Sequence, residues 1–322
     1  MALRSIEICA GAGGQALGLE QAGFDHVALV ENDPHPCRTL RHNRPGWNVI
    51  ESGVEEFSAS GYGDVDLLAG GVPCPPFSKA GKQLGAQDER DMFPEALRLV
   101  RECQPRAVML ENVRGLLDTV FDGYRAELDD SLRAMGYEPR WRLLNACDYG
   151  VPQLRPRTLL VAIRDDEAGS FAWPEPFADA PPTVGEALVG EMASLGWPGA
   201  QEWANGADKV APTLVGGSKK HGGPDLGPTR ARKAWADLGV EGRTIADSPP
   251  GPDHQGMPRL TVSMAATIQG FPPSWEIVGK KTAAYRQVGN AFPPPVARAV
   301  GAAIAEVLSI RSSSAGTLQA AA

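Results

Sequence analysis

The chain has 322 residues, a formal net charge of −8 and a hydrophobic content of 43%. This length fits one large α/β domain, or one such domain with a smaller one. The sequence has no apolar stretch long enough to span a bilayer and no signal-peptide layout at its N-terminus, so we expect a cytoplasmic protein without membrane contact. The acidic charge argues against a non-specific nucleic-acid coat, because such binding depends on neutralised phosphates.

In chain order, apolar runs first alternate with amphipathic stretches, a pattern typical of βαβ units and a parallel sheet. Asp33 is predicted to cap the second helix, since Pro34 follows it at the first helical position. The predicted strands are 6–10, 26–30, 65–69, 107–110 and 158–163, and the predicted helices are 15–22, 34–43, 92–103 and 124–135.

The character of the sequence changes after Arg164. Residues 165–258 are rich in Pro, Gly, Trp and charge and show little periodicity, which predicts a second, irregular module. Regular patterning returns at 260–269 and in a C-terminal helix over 295–308, and the small, polar tail is expected to be disordered. The predicted organisation is a main domain over 1–164 plus 259–311, the module over 165–258, and a disordered tail over 312–322.

The cysteines do not indicate a disulfide framework or a metal site. They are five in number, and no two have the C-x-x-C spacing that binds metals. Free thiols in a reducing compartment agree better with this pattern. The cysteines are Cys9, Cys37, Cys74, Cys103 and Cys147.

A glycine-rich turn, Gly11-Ala12-Gly13-Gly14-Gln15-Ala16, lies between the first strand and the first helix, and Glu31 ends the second strand. This arrangement fits the nucleotide fingerprint G-x-G-x-x-G/A with an acidic residue about twenty positions on. The glycines let the backbone approach a ligand, and the carboxylate accepts hydrogen bonds from ribose hydroxyls. The pattern indicates an adenosine-type cofactor without separating NAD from S-adenosylmethionine. A glycine turn without a ligand is the alternative.

Three further segments place reactive groups near strand ends. Residues 71–78 hold the thiol of Cys74, residues 111–113 put the carboxyl of Glu111 at the end of a neighbouring strand, and residues 153–157 offer two guanidinium groups. Because strand carboxyl ends face the ligand crevice of an open parallel sheet, we expect Cys74 and Glu111 to share a site with the cofactor. Each group alone also has a plain structural interpretation: a small buried thiol, a helix cap, or surface charges.

Together these blocks resemble the C5-cytosine DNA methyltransferases, from residue 6 to about residue 307. The resemblance implies a Rossmann-like, S-adenosylmethionine-dependent methyltransferase sheet of the α/β class with a smaller, irregular target recognition domain over 165–258. It implies methyl transfer to C5 of a flipped cytosine in a specific sequence of double-stranded DNA, within a restriction-modification pair. The matching blocks stand in the family's order: 7–14, 31–33, 73–74, 111–113, 153–157, 268–272 and 287–290.

The resemblance also implies the roles of the site residues. Cys74 would attack C6 of the base, Glu111 would bind N3 and the exocyclic amine, and Arg157 would bind O2 with support from Arg155. This covalent strategy suits cytosine, whose C5 is too weak a nucleophile until a thiolate has added to C6. The expected cofactor-binding residues are Cys9, Ala10, Gly11, Gly13, Gly14, Glu31, Asn32, Val54, Pro73 and Asn290.

The DNA contacts are expected from two segments. Residues 77–92 resemble the family's mobile loop that closes over the flipped base, and residues 216–223 are the expected groove-facing loop. Residues 204–244 carry seven basic against four acidic residues, an excess suited to phosphates, although an ordinary solvated loop is the alternative. We expect a monomer on DNA, with any restriction endonuclease acting separately. The expected DNA-contacting residues are Ser78, Lys82, Arg90, Lys219, Lys220 and His221.

Three positions depart from the family's pattern. Cys9 replaces a Phe that contacts the cofactor, and Gly53 stands where an Asp usually accepts a hydrogen bond from the adenine amine. Residues 261–264 lack a frequent Arg-Glu pair. The first two changes concern cofactor affinity, and the third concerns packing of the recognition module.

Three other functions compete with DNA methylation. The same chemistry on a structured RNA is disfavoured by the module over 165–258, in which no tRNA-specific motif is evident. A non-catalytic DNA-binding partner is disfavoured because Cys74, Glu111 and Arg157 are intact. An NAD-dependent dehydrogenase agrees with the glycine turn but leaves the Pro-Cys and Glu-Asn-Val blocks unexplained.

Overall fold

A mixed sheet forms the centre of the computed structural model, which describes residues 2–73, 91–165, 169, 171–217 and 223–319, with side chains up to Ser309. Its strands are β1 (Leu3–Ile8), β2 (Phe24–Glu31), β3 (Val49–Glu51), β4 (Leu67–Gly71), β5 (Ala107–Val113), β6 (Tyr137–Asn145) and β7 (Pro156–Arg164). Their order across the sheet is β3-β2-β1-β4-β5-β7-β6. Strands β1 to β5 are parallel, whereas β7 runs antiparallel to β5 and β6.

Helices cover both faces of the sheet. Their bounds are α1 (Gly14–Gln21), α2 (Pro34–Asn43), α3 (Phe93–Cys103), α4 (Asp122–Arg133), α5 (Val184–Ala193), α6 (Ala200–Gly206), α7 (Thr229–Ala236), α8 (Val262–Ile268), α9 (Lys281–Asn290) and α10 (Pro294–Gln319). Successive residues of β4 point to opposite faces of the sheet. Leu68 therefore packs with α3 and α4 on one face, and Leu67 packs with α1 and α10 on the other. Within the described ranges, no helix combines the length and apolarity that crossing a bilayer requires.

The structure confirms the α/β class and the parallel strands predicted around the glycine turn. It adds β3 and β6, which the sequence pattern did not indicate. Strand β6 lies at the edge of the sheet and contains Pro139, Arg140 and Arg142. Proline and charge are common on edge strands, because they block further pairing, and they also disguise the strand in the sequence. Helix α10 continues to Gln319, beyond its predicted end at residue 308.

The region 165–258 contains α5, α6 and α7, joined by irregular segments. The Thr183 side chain caps α5 in a capping box with Glu186. Residues such as Leu188 and Trp235 belong to the same hydrophobic cluster as residues of α8 and α9. This packing explains the weak helical pattern, because the helices are short and tertiary contacts stabilise them. The domain boundaries and the disorder of 312–322 stay predictions.

The turn that leads into α1 depends on a left-handed residue. Gly13, the N-cap, has φ of 83°, a conformation that favours glycine. A Cβ atom there would stand 2.6 Å from the Leu40 side chain and 2.8 Å from that of Trp275. Glycine is therefore required both by the backbone conformation and by the close packing of α2 and the 271–275 segment.

Polar groups are buried between β1 and α1. The Nδ1 atom of His26 lies 2.8 Å from Ser5 Oγ, and its Nε2 atom lies 2.8 Å from the carbonyl oxygen of Ala16. Glu7 is 1% exposed, and its Oε2 atom has no hydrogen-bond partner among the described residues. Burial raises the pKa of Glu7 well above its ordinary value, against a smaller opposing effect of the Ala16 backbone.

Replacing Glu7 by Gln should change how stability depends on pH. Below the pKa of the unfolded carboxyl, both proteins are neutral at this position. At higher pH the unfolded wild type releases a proton that the folded state retains, so its stability falls relative to E7Q by up to about 1.4 kcal/mol per pH unit. Denaturant titrations between about pH 5 and about pH 8 measure this difference. The matched change at exposed Glu306 controls for the loss of a surface carboxyl. A stability difference between wild type and E7Q that does not change with pH would contradict the prediction.

Candidate active site

A cavity of about 1090 Å³ lies at the carboxyl ends of β1, β2, β4 and β5. This is the edge at which an open parallel sheet presents its ligand crevice. Pockets for one small ligand usually measure about 300–1,000 Å³, so the cavity has room for a cofactor and a second small group. Its lining combines the glycine turn, the ends of β2, β4 and β5, the start of β7, and residues 213–217, 286–287 and 289–292.

Glu31 is held rigidly at the end of β2. Its Oε2 atom accepts a hydrogen bond from the Gly11 N–H at 2.8 Å, and its Oε1 atom accepts one from the Asp33 N–H at 2.7 Å. Burial raises the pKa of this carboxyl, and the backbone N–H groups oppose that shift. Each carboxylate oxygen has two acceptor sites, so Glu31 can also accept hydrogen bonds from ribose hydroxyls.

Most of the predicted cofactor residues line this cavity. Gly13 does not, because it packs against Leu40 and Trp275. Gly53 leaves room for a nearby acid: a Cβ atom on it would stand 2.8 Å from Glu55 Oε2, and Glu55 itself lines the cavity. The predicted residues that line it are Cys9, Ala10, Gly11, Gly14, Glu31, Asn32, Val54, Pro73 and Asn290.

Glu111 and Arg157 form a buried ion pair inside the cavity. Arg157 Nε lies 2.8 Å from Glu111 Oε1. Arg157 stands opposite Val113 in the antiparallel ladder of β5 and β7, so it is a diagonal neighbour of Glu111 on the same face. Burial raises the pKa of Glu111, with the positive charges of Arg157 and Arg155 opposing the shift. A carboxyl with a raised pKa beside a cation can donate a proton or a hydrogen bond to a bound base.

Arg155 does not line the cavity. Its side chain is 1% exposed, and it donates from Nη1 to the Leu214 carbonyl at 2.8 Å and from Nη2 to the Gly289 and Ala291 carbonyls at 2.9 and 3.0 Å. The sequence predicted that Arg155 supports the catalytic site. Its contacts agree with support of the backbone around the cavity rather than contact with a substrate.

The end of β4 is tied to the end of β5. Asn112 Nδ2 donates to the Val72 carbonyl at 3.0 Å, and the Met92 N–H donates to the Pro73 carbonyl at 3.3 Å. A Cβ atom on Gly71 would stand 3.3 Å from Glu111 Oε2, so the strand end lies against that carboxyl. Pro73, the last described residue before Cys74, is therefore held in the cavity that the Glu111–Arg157 pair also lines.

Comparison with known proteins agrees with this geometry. The model of the family described as C-5 cytosine-specific DNA methylase matches residues 3–306. The chain belongs to this family. Its members use S-adenosylmethionine, and the reaction of this chain is methyl transfer to C5 of cytosine in DNA.

Individual relatives are similar over nearly the whole chain. It is 54% identical to the Type II methyltransferase M.NgoMIV of Neisseria gonorrhoeae, covering 96% of this chain and 99% of that protein. It is 55% identical to the Type II methyltransferase M.NaeI of Lentzea aerocolonigenes, covering 96% and 76%. A solved structure of a putative DNA modification methyltransferase from an Escherichia coli prophage has a TM-score of 0.69 at 23% identity, covering 96% of this chain and 100% of that one, and shows the same fold.

Several residues predicted from the methylase resemblance lie outside the described part of the chain. The expected nucleophile, Cys74, is one of them. The others are the expected DNA-contacting residues Ser78, Lys82, Arg90, Lys219, Lys220 and His221. Their roles stay predictions.

One wall of the methylase cavity comes from the region 165–258, which the sequence did not indicate. Residues 213–217 line the cavity and cross α9 where two glycines meet. A Cβ atom on Gly289 would stand 2.3 Å from Gly216 N, and one on Gly216 would stand 2.5 Å from the Arg286 carbonyl oxygen. Asn290 Nδ2 donates to the Gly217 carbonyl at 3.2 Å. In the sequence, the Gly-Gly pair at 216–217 was the one feature that could have indicated this close approach to α9.

This crossing is fixed from several sides. Gln153 Oε1 accepts from the Leu214 N–H at 2.8 Å, and Gln153 Nε2 donates to Gln269 Oε1 at 2.7 Å. Arg155 holds the Leu214 carbonyl from the same side. The 213–217 segment therefore has little freedom to move away from a larger residue at position 289.

Replacing Gly289 by Ala should destabilise the protein. Overpacking a rigid contact typically costs about 1–3 kcal/mol, and the added methyl group would meet backbone atoms. The matched change is Gly190→Ala in α5, where a Cβ atom would meet no atom within 4 Å among the described residues; it should stabilise by about 0.5–1 kcal/mol. Denaturant unfolding measures both effects, and equal stability of the two variants would refute the prediction.

Proposed function

We propose that this protein methylates one cytosine within a specific sequence of duplex DNA, as the modification enzyme of a restriction-modification system. We further propose that it acts as a monomer in the cytoplasm, where cellular DNA lies, and that a separate endonuclease cuts the same sequence. The observation that carries the proposal is the buried Glu111–Arg157 pair. It lies in one cavity with the glycine turn and beside the strand end that leads to Cys74.

The proposed nucleophile is Cys74, two residues beyond the Val72 carbonyl that Asn112 holds. Its thiolate adds to C6 of the base, and the electron pair of the C5–C6 double bond makes C5 nucleophilic. S-adenosylmethionine would supply the methyl group to C5, with its S–CH3 bond breaking and S-adenosylhomocysteine leaving. A base then removes the C5 proton, the C6–S bond breaks, and Cys74 leaves as a thiolate. The base must be flipped out of the helix for this chemistry, since C6 is inaccessible in a duplex.

Glu111 and Arg157 are the proposed partners of the flipped base. Glu111 hydrogen-bonds the exocyclic amine and protonates N3 as negative charge develops, a role that a raised pKa favours. Arg157 uses Nε in the pair with Glu111 and Nη1 in a 2.9 Å hydrogen bond to the Pro156 carbonyl. Of its five N–H donors, the others can bind O2. Arg155 positions the carbonyls of Leu214, Gly289 and Ala291 around them.

The proposed cofactor position is the side of the cavity formed by the glycine turn and Glu31. The left-handed Gly11, with φ of 54°, turns the backbone there, and the Glu31 carboxylate can accept from the ribose. We retain the ten predicted cofactor residues as a proposal, with Gly13 acting through the shape of the turn. Duplex DNA would contact the segments 77–92 and 216–223, through Ser78, Lys82, Arg90, Lys219, Lys220 and His221.

A fluorinated substrate tests the function and the nucleophile together. The target sequence is first mapped by bisulfite sequencing of DNA from an expressing host. A duplex with 5-fluorocytosine at that position should form a stable covalent adduct in the presence of S-adenosylmethionine, because fluorine cannot leave as a proton does. Cys74→Ala should abolish the adduct, whereas Cys147→Ala, at a half-buried thiol that does not line the cavity, should retain it.

An adduct that persists in Cys74→Ala would refute the assignment of the nucleophile. Methylation of total tRNA in place of duplex DNA, in parallel assays with labelled cofactor, would refute the DNA substrate. Denaturing gel electrophoresis separates the adduct from the free protein in each case.

Glu111→Gln should reduce turnover severely without removing the cofactor site. Gln can accept and donate hydrogen bonds but cannot protonate N3, so we expect kcat to fall by about 10²- to 10⁴-fold, the usual contribution of acid–base catalysis. Binding of S-adenosylhomocysteine, measured by calorimetry, should stay within about twofold of wild type. Glu127→Gln, at an exposed residue of α4, is the matched control, and an unchanged kcat in Glu111→Gln would contradict the proposed role.

A further inference from the structure

A buried amide without a partner lies at the start of α1. Gln15 directly follows the glycine turn, is 3% exposed and lines the cavity. Neither its Oε1 nor its Nε2 atom has a hydrogen-bond partner among the described residues. Buried side-chain amides in folded proteins are nearly always hydrogen-bonded, so this position requires an explanation.

Packing alone does not explain a polar residue here. The neighbouring buried positions of α1 are Ala16, Leu17 and Leu19, and an apolar side chain at position 15 would avoid the desolvation of an amide. A buried polar group that costs stability in the free protein is typical of a binding site, where a ligand completes its hydrogen bonds.

The chemistry of an amide restricts the ligand. A carboxamide offers N–H donors and a carbonyl acceptor side by side, which together match a carboxylate and an ammonium group on one carbon. The first turn of α1 also directs backbone N–H groups and the positive end of the helix dipole toward an anion. Glu31, in contrast, suits the hydroxyls of a ribose. These features separate an amino-acid end of the cavity from an adenosine end.

We propose that the Gln15 side chain binds the amino-acid end of S-adenosylmethionine, donating from Nε2 to its carboxylate and accepting at Oε1 from its ammonium group. The inference rests on the proposed position of the cofactor in this cavity. It makes Gln15 a cofactor-binding residue, additional to the glycine turn and Glu31.

Two ligands that differ only at this end provide the test. S-adenosylhomocysteine carries the amino acid, whereas 5′-methylthioadenosine keeps the adenosine and the thioether without it. Gln15→Leu should weaken S-adenosylhomocysteine about 10- to 100-fold, the usual loss for hydrogen bonds to charged groups, and change 5′-methylthioadenosine less than about twofold. Isothermal titration calorimetry of the full chain measures both. Gln21→Leu, at the exposed end of the same helix, should change neither.

The thermal stability of the ligand-free protein separates binding from structure. Gln15→Leu should melt at the wild-type temperature or above it, because it removes an unpaired buried amide. Equal weakening of the two ligands together with a lower melting temperature would show a structural role and overturn the proposal. An unchanged affinity for S-adenosylhomocysteine would overturn it as well. Gln15→Met, unbranched and similar in length, repeats the test where Leu impairs folding.

The proposed cofactor position can fail separately. If the wild-type protein binds neither ligand, the position of the cofactor is wrong, and the inference about Gln15 falls with it. If the wild type binds both ligands and Gln15→Leu and Gln15→Met bind them equally well, the cofactor position stands and only the role of Gln15 is refuted.

Discussion

The buried pair of Glu111 and Arg157 is the interaction on which the site depends. Burying either charge of this pair alone would be costly, and each charge offsets the desolvation of the other. The pair exists because β7 runs antiparallel to β5. In a fully parallel sheet, a residue at the start of β7 would lie at the opposite edge from a residue near the end of β5. The reversal of this strand brings its first residues to the ligand side.

Hydrogen bonds from side chains to backbone groups hold the rest of the site in place. Asn112 ties the end of β5 to the end of β4. Gln153 and Arg155 tie Leu214, in the region 165–258, to the end of α8 and to the segment after α9. Most of the polar groups buried by these contacts have hydrogen-bond partners. Such networks hold irregular segments in one position. Loops that ordinary packing would leave variable can therefore form the walls of a catalytic cavity.

The fold around the glycine turn could be predicted from the sequence, because it depends on local rules. A buried strand, a glycine turn and an acidic strand end can all be read within about thirty residues. Asp33 with Pro34 predicted the start of α2, and Asp33 Oδ1 does accept from the His35 N–H. The resemblance to a known family connected the separate blocks.

What the sequence could not predict depends on distant contacts. The direction of β7 decides where Arg157 lies. The apolar run of that strand predicts a buried strand but does not indicate whether it runs parallel or antiparallel to its neighbours. The helices of 165–258 have short patterns that make sense only beside α8 and α9. Arg155 and Arg157 belong to one motif, and only the fold separates a residue that holds backbone carbonyls from one that faces the cavity.

The glycine crossing at Gly216 and Gly289 has a thermodynamic consequence. Residues 213–217 form part of the region expected to read DNA and also part of the cavity wall. Because this segment is held firmly, strain that DNA binding places on it acts directly on the cavity wall and alters the affinity for the cofactor. Linkage then requires that the cofactor alter the affinity for DNA by the same factor. An enzyme built in this way can favour its target sequence more strongly when it already holds a methyl donor.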